Sequence, residues 1–166
     1  LREKPPYAIL RKKDVVNLTP ILVREEIKPG LEKDKVPYYY IVPFGLERET
    51  GDCGVPLTRI SVVVNAYTGR FEEIGSFGKP VRYLPEKEAV AIAVKALHIR
   101  KEEIKEVKAQ MMFQPSEITH IRIYPFWKIT VNECVLYVDQ LGQLYRTIKP
   151  ARPGDCLLYT SDAADE

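Results

Sequence analysis

Two dense runs of aromatic and β-branched residues, at 36–44 and 126–131, are the strongest strand signals in the chain. Each is followed by a second apolar run, at residues 60–66 and 134–139. Side chains at alternate positions of each run share one face, because strand side chains alternate with period two. Pro43 lacks a backbone donor, so the first run is expected to form an edge or to end nearby.

Short turns follow both of the second apolar runs. The first turn begins at Asn65 and reaches Gly69, and the second begins at Asp139 and reaches Gly142. A glycine at these places allows the positive φ that tight hairpin turns require. A shorter return strand is predicted after each turn. Because strands and turns recur in the same order, the chain is predicted to carry a duplicated strand–turn–strand unit.

One amphipathic helix is predicted between the two copies, at residues 84–98. Pro85 suits the first helical turn, and Glu86 and Glu88 place negative charge near the positive end of the helix dipole. Small alanine side chains on this helix let a sheet approach closely. The helix is therefore expected to lie across a sheet, with an apolar stripe formed by Val90, Ala93, Val94 and Leu97.

The repeat divides the chain into three parts. Residues 1–80 are predicted to hold the first copy, 81–150 the second copy with its helix, and 151–166 a linker and tail. The tail resembles the translation of a sequencing adapter and is expected to be non-native. The first copy lacks a preceding helix, so the chain is expected to be a fragment of a longer protein. The expected fold class is α+β, with antiparallel β-sheet units and a packed amphipathic helix.

Composition indicates a globular chain without a charged binding footprint. Hydrophobic residues make up 45% of the sequence and charged residues 29%, which separates it from disordered chains. The 25 Lys and Arg residues nearly balance 23 Asp and Glu residues, so no nucleic-acid partner is predicted. No apolar run reaches the roughly 20 residues of a membrane span, so the chain itself is not expected to cross a membrane.

Candidate catalytic and metal-binding residues are few. The two histidines, His98 and His120, share no metal-ligand spacing with each other or with carboxylates. Cys53 lies in a Gly-Asp-Cys-Gly turn and has three interpretations: a loop residue, a nucleophile without a nominated base, or a disulfide partner of Cys134. The spacing of a glycine-rich phosphate loop is missing. No catalytic, cofactor-binding or metal site is therefore predicted.

The aromatic residues of the two dense runs are the remaining candidates for function. A strand with aromatic residues on both faces, as at Tyr38, Tyr39 and Tyr40, carries more of them than one core needs. Together with Phe126 and Trp127 they are predicted to form a surface for a protein or peptide partner. An exposed strand edge would also allow an extended segment to add to the sheet.

The first hairpin resembles that of PepSY-like domains, in which a valine-rich strand runs into a D/N-x-x-[TN]-G turn and a short return strand. The helix and the second hairpin continue the same plan over most of residues 16–149, although the second turn reads Gln-Leu-Gly. The residues that carry the resemblance are Val62, Val63, Val64, Asn65, Ala66, Thr68, Gly69 and Phe71.

This resemblance implies tandem small α+β modules, each with a cystatin-like helix on a sheet. It also implies an extracytoplasmic place, secreted or membrane-anchored, and a non-catalytic role as an inhibitory or propeptide-like segment of a secreted peptidase. The partner would be a protein or peptide, with a peptidase domain of the same chain as one candidate. The alternative function is a structural spacer in a cell-envelope protein.

Overall fold

The structure, a computed structural model, describes residues 6–26 and 37–151. These residues form nine strands, one α-helix and three short 3₁₀ turns. The strands are β1 (Val15–Asn17), β2 (Ile21–Glu25), β3 (Tyr38–Thr50), β4 (Pro56–Asn65), β5 (Phe71–Val81), β6 (Val107–Phe113), β7 (Phe126–Val131), β8 (Cys134–Val138) and β9 (Leu144–Tyr145). The helix is α1 (Glu86–Leu97), and the 3₁₀ turns span Pro6–Arg11, Asp52–Gly54 and Lys101–Glu103.

The nine described strands belong to one mixed sheet. Its order is β5-β4-β3-β2-β6-β7-β8-β9, and β1 pairs with β3. The strand pairings are antiparallel except that of β2 with β6, where Arg24 faces Met112 and Glu25 faces Phe113. Strands β1–β5 and β6–β9 therefore form two antiparallel halves, the first half and the second half, joined by one short parallel pairing.

The expected α+β, cystatin-like fold with separate antiparallel sheet units is wrong. The described residues are mostly β-sheet, and α1 is the single α-helix among them. The difference arises at two strand edges: β2 and β6 each pair on one side within their own half, and their other edges pair with each other. Local patterning specifies a strand but not the partner of its free edge.

The domain boundaries predicted at residues 80 and 150 stay a prediction. The sheet nevertheless runs without a break from the first half into the second through β2 and β6. The tail predicted at 151–166 lies, beyond residue 151, outside the described residues.

The turn between β4 and β5 is built around Asn65. Its side-chain Oδ1 accepts hydrogen bonds from the backbone amides of Tyr67 and Thr68, at 3.0 Å each. The amide of Gly69 donates to the Asn65 carbonyl oxygen at 2.9 Å, and Gly69 has a φ of +67°. Asn favours turns because its side chain bonds to the backbone that follows it.

The turn between β8 and β9 uses the same arrangement with Asp139 as the acceptor. The Asp139 Oδ1 accepts hydrogen bonds from the amides of Leu141 at 2.9 Å and Gln143 at 2.8 Å. Gly142 has a φ of +83°, a conformation that favours glycine. Both hairpins are therefore closed by local chemistry, independently of the rest of the sheet.

One face of the second half is covered by α1. The helix packs on β6, β7 and β8, with Ala89 and Ala93 fully buried. The sheet side of this contact includes the buried side chains of Ile129, Val131 and Leu136. Small side chains on the helix allow this close packing. No helix in the described part of the chain is long and apolar enough to cross a membrane.

The corresponding face of the first half is covered by the loop at residues 114–125. Ile123 is 5% exposed and belongs to the same core as the residues under α1. It lies so close to Gly75 of β5 that a Cβ at that glycine would collide with it. The Tyr83 hydroxyl donates to the Ile123 carbonyl oxygen at 2.9 Å. A loop of the second half thus covers the sheet of the first.

Gly45→Ala is expected to destabilise the fold by roughly 1–3 kcal/mol, the usual cost of overpacking a filled site. Gly45 lies where the pairing of β3 with β4 shifts register, and a Cβ there would collide with the backbone carbonyl oxygen of Leu57. Backbone atoms in a sheet cannot move aside as the end of a flexible side chain can. Urea unfolding of the full chain measures the loss.

Gly78→Ala is the matched control for this prediction. Gly78 also lies in a strand of the first half, and no heavy atom is within 4 Å of the position its Cβ would take. Its unfolding midpoint is expected to stay close to that of the unsubstituted chain. Equal losses for the two variants would contradict the argument from close approach at Gly45.

Candidate functional site

Three of the five aromatic residues predicted as a partner surface are buried. Tyr39 and Phe126 are 0% exposed, and Trp127 is 9% exposed. Tyr38 is half-buried and Tyr40 is 38% exposed. The predicted surface is therefore corrected to Tyr38 and Tyr40. Tyr39 and Trp127 lie in the core between the sheet and the segments that pack on it, whereas Phe126, on the other face of β7, is buried and packs against the ring of Tyr137.

Tyr39 and Trp127 each make a hydrogen bond from the sheet to a connecting segment. The Tyr39 hydroxyl donates to the carbonyl oxygen of Arg122, in the loop at 114–125, at 2.8 Å. The Trp127 Nε1 donates to the carbonyl oxygen of Leu84, in the connection before α1, at 2.8 Å. Buried tyrosine and tryptophan side chains usually need such a partner for their polar atom. Both residues therefore have structural roles.

The opposite, open face of the first half carries a line of apolar side chains. Leu22 lies opposite Tyr40, Tyr40 opposite Val64, and Val64 opposite Phe71. The exposed fractions are 43% for Leu22, 38% for Tyr40 and 62% for Phe71. Directly opposite side chains on neighbouring strands are close enough to touch. We call these four side chains, one from each of β2 to β5, the apolar row.

A second line of apolar side chains runs beside the apolar row. Val62 lies opposite both Val42 and Ile74, and all three are half-buried. At the turn end of the face, the rings of Tyr38 and Tyr67 pack edge to face with centroids 6.5 Å apart. The row is therefore part of a wider apolar surface, and its aromatic members are not isolated exposed residues.

Arg24 lies on the same open face as the apolar row. It is two residues beyond Leu22 in β2, so both side chains point to one side of the sheet. Its Nε atom is buried and has no hydrogen-bond partner within the chain as described. A buried donor left unsatisfied costs about 1–3 kcal/mol.

The sequence identified Tyr40 as a surface candidate but not Leu22, Val64 and Phe71 as its neighbours. Period-two patterning places a residue on one face of its own strand, whereas the row depends on the register of four strands. The usable signal in the sequence is an apolar residue in a polar stretch, as at Phe71 between two charged residues.

A charged cluster on the covered face holds the strands of the apolar row together. The Arg122 guanidinium carbon lies 4.3 Å from the centroid of the Tyr39 ring. Its Nη2 is 2.7 Å from Glu72 Oε2 and 3.5 Å from Glu25 Oε2. We call these four residues the Arg122 cluster. They come from β2, β3, β5 and the loop at 114–125, so one guanidinium connects three strands and the loop.

The Arg122 cluster fixes the protonation of its members. Burial raises the pKa of the Tyr39 hydroxyl far above its ordinary value, although the Arg122 guanidinium opposes the rise. The hydrogen bond that Asn65 Nδ2 donates at 3.0 Å lowers the pKa of Glu72, partial burial opposes this, and Arg122 lowers it further. Tyr39 is therefore a neutral donor and Glu72 a charged acceptor near neutral pH.

The other sequence candidates lie in separate elements. His98 follows the last residue of α1, His120 lies in the loop at 114–125, and Cys134 begins β8 with a free, exposed thiol. Because Cys134 is free, the predicted disulfide with Cys53 is not formed in this structure. The side chain of Cys53 lies outside the described residues, so its interpretations as a loop residue and as a nucleophile stay predictions. Over residues 6–26 and 37–151, no three His, Cys, Asp or Glu side chains are grouped so as to hold a metal ion.

Acidification is expected to weaken the fold in part through Glu72. Because the folded-state pKa of Glu72 is lowered from 4.5, its stabilising contribution is present above the unfolded-state pKa and is lost as the pH falls through the folded-state pKa. Glu72→Gln removes this titration. The urea midpoint of this variant is expected to fall less steeply than that of the unsubstituted chain between about pH 7 and about pH 3.

Glu102→Gln, in an exposed 3₁₀ turn, is the control for this measurement. It removes a carboxylate outside the Arg122 cluster, so its pH dependence is expected to follow that of the unsubstituted chain. A Glu72→Gln variant with an unchanged pH dependence would contradict the role given to Glu72.

Comparison with known proteins gives no match to a family model, to a curated protein or to a solved structure. The resemblance of the first hairpin to PepSY-like domains therefore stays a prediction. The function is therefore inferred from the chemistry of the apolar row, Arg24 and the Arg122 cluster.

Proposed function

We propose that the chain is a non-catalytic binding module whose contact surface is the apolar row together with Arg24. The observation that carries this proposal is the row itself. Leu22, Tyr40 and Phe71 are exposed by 38% to 62% and are aligned across paired strands. Contiguous exposed apolar surface on a folded chain is typical of interaction sites.

Covering the apolar row favours association energetically. Fully burying a Leu or Phe side chain contributes about 1.5–3 kcal/mol, so covering the exposed remainder of Leu22, Tyr40 and Phe71 contributes roughly 1 kcal/mol each. Tyrosine side chains at the centre of an interface are frequent hot spots. The strands beneath the row are held by the Arg122 cluster, so little ordering of the surface is needed on binding.

The side chains of the apolar row and Arg24 indicate what kind of partner surface would bind there. An apolar protein surface fits the row, and a carboxylate on that surface fits the positive charge of the half-buried Arg24 beside it. The resemblance to PepSY-like domains supports a peptidase domain as this partner, in an extracytoplasmic, secreted or membrane-anchored protein. The module would then act by steric occlusion, with no chemical step of its own.

Tyr40→Lys and Phe71→Lys test the proposal by placing a charge in the middle and at the end of the row. Each is expected to weaken binding at least about tenfold, because the charge must lose its water in the interface. The measurement is the affinity for a peptidase encoded together with the chain, and the inhibition of that peptidase by the chain.

Val135→Lys is the matched control, since Val135 in β8 is 38% exposed, as Tyr40 is, but lies outside the row. It is expected to leave the affinity unchanged. Three variants with equal affinity would overturn the assignment of the surface. If the chain neither binds the peptidase nor changes the activity of the peptidase, the structural spacer is favoured instead.

A further inference from the structure

A pocket of about 640 Å³ opens between the two halves of the sheet. Strands β2 and β6 pair at Arg24 with Met112 and at Glu25 with Phe113, and the pocket is lined by Ile21 and Met111, which precede these pairs in the two strands. The volume lies within the roughly 300–1,000 Å³ that is typical of small-molecule sites. The pocket is on the covered side of the sheet, opposite the apolar row.

The inner wall of the pocket is apolar and well ordered by hydrogen bonds. Met111, Leu84 and Trp127 line it and are 3%, 8% and 9% exposed. The Trp127 Nε1 donates to the Leu84 carbonyl oxygen, and the Leu84 amide donates to Gln140 Oε1, both at 2.8 Å. These two hydrogen bonds satisfy the Trp127 Nε1 and the backbone amide and carbonyl of Leu84 inside the protein, so these polar atoms are not available to a ligand. What faces the pocket is therefore mainly apolar.

Four prolines also line the pocket: Pro20, Pro43, Pro56 and Pro85. Proline has no backbone N–H to offer, and its ring is rigid. Walls of this composition favour an apolar molecular body over a polar one, because a polar group entering the pocket would lose hydrogen bonds to water without replacement. The shape is also fixed in advance, which lowers the entropic cost of binding.

Arg82 is the only charged side chain among the described residues that line the pocket. Its two terminal nitrogens contact the two carboxylate oxygens of Glu88, at 2.8 Å each. The side chains of Arg82 and Glu88 are 43% and 49% exposed, so water screens this pair. The carboxylate of a ligand in the pocket can therefore replace that of Glu88 and keep the two-bond geometry.

We propose that this pocket binds a small, elongated apolar molecule that carries one acidic group. The apolar body lies against Trp127 and the prolines, and the acidic group reaches Arg82 by displacing Glu88. This site is independent of the surface proposed for a protein partner, because it lies on the other side of the sheet and uses different side chains.

Trp127 provides a direct readout, since it is the single tryptophan of the chain and lines the pocket. The probe is decanoate, kept below its micelle concentration, with decanol as the uncharged molecule of equal chain length. Both are expected to shift and saturate the Trp127 emission of the full chain. Decanoate is expected to bind more tightly than decanol because only decanoate can pair with Arg82.

Two substitutions of the ion pair give opposite expected effects. Arg82→Gln is expected to weaken decanoate binding about threefold or more, whereas Glu88→Gln is expected to tighten it by a similar factor, because it removes the competing carboxylate. Decanol binding is expected to stay unchanged in both variants. A general loss of structure would weaken both probes together, so the comparison separates the two causes.

Val55→Phe tests the location. Val55 lines the pocket and is 49% exposed, so a larger side chain there narrows the opening without entering the core. It is expected to weaken both probes, whereas Val135→Phe, at a similarly exposed position in β8, is not. The proposal is overturned if Trp127 emission does not saturate with decanoate, if Val55→Phe binds it normally, or if Arg82→Gln leaves the preference for decanoate intact.

Discussion

The parallel pairing of β2 with β6 joins two antiparallel halves that are otherwise closed by local turns. It is short, with Arg24 facing Met112 and Glu25 facing Phe113. It also connects strands far apart in the sequence, which makes its formation entropically more costly than closing a hairpin. Side chains therefore have to support it. Arg122 does so by contacting Glu25, which belongs to the pairing, and by stacking on Tyr39 of the neighbouring strand.

The two halves joined by β2 and β6 are covered by different segments of the chain. In the second half α1 covers the sheet with alanines at the contact, as for Ala89 and Ala93. In the first half the loop at 114–125 covers the same side, with Ile123 over Gly75. The apolar row lies on the other side of these strands. Its Leu22, Tyr40 and Phe71 remain exposed, and this exposure supports a binding role for the chain.

Strand β2 separates the two candidate sites. Ile21 lines the pocket and Leu22 belongs to the apolar row, and adjacent residues in a strand point to opposite faces. Both sites therefore depend on the position of one strand, whose two edges pair with different halves of the sheet. The pocket lies beside the short pairing of β2 with β6, and the row exists because β2 continues the antiparallel order of β3, β4 and β5.

The sequence by itself determined the central parts of β3, β4, β7 and β8, the hairpin turns at Asn65 and Asp139, and the helix with its alanines, because each depends on local periodicity or on a side chain that bonds its own backbone. It also placed Tyr40 among the candidate surface residues. It did not predict β1 or the extension of β3 to Thr50 and of β5 to Val81. Only the tertiary structure decided that Tyr39, Phe126 and Trp127 are core, that the halves form one mixed sheet, and that Leu22 joins Tyr40. Register, edge pairing and the path of a covering loop are set by contacts between distant segments, which local patterning does not encode.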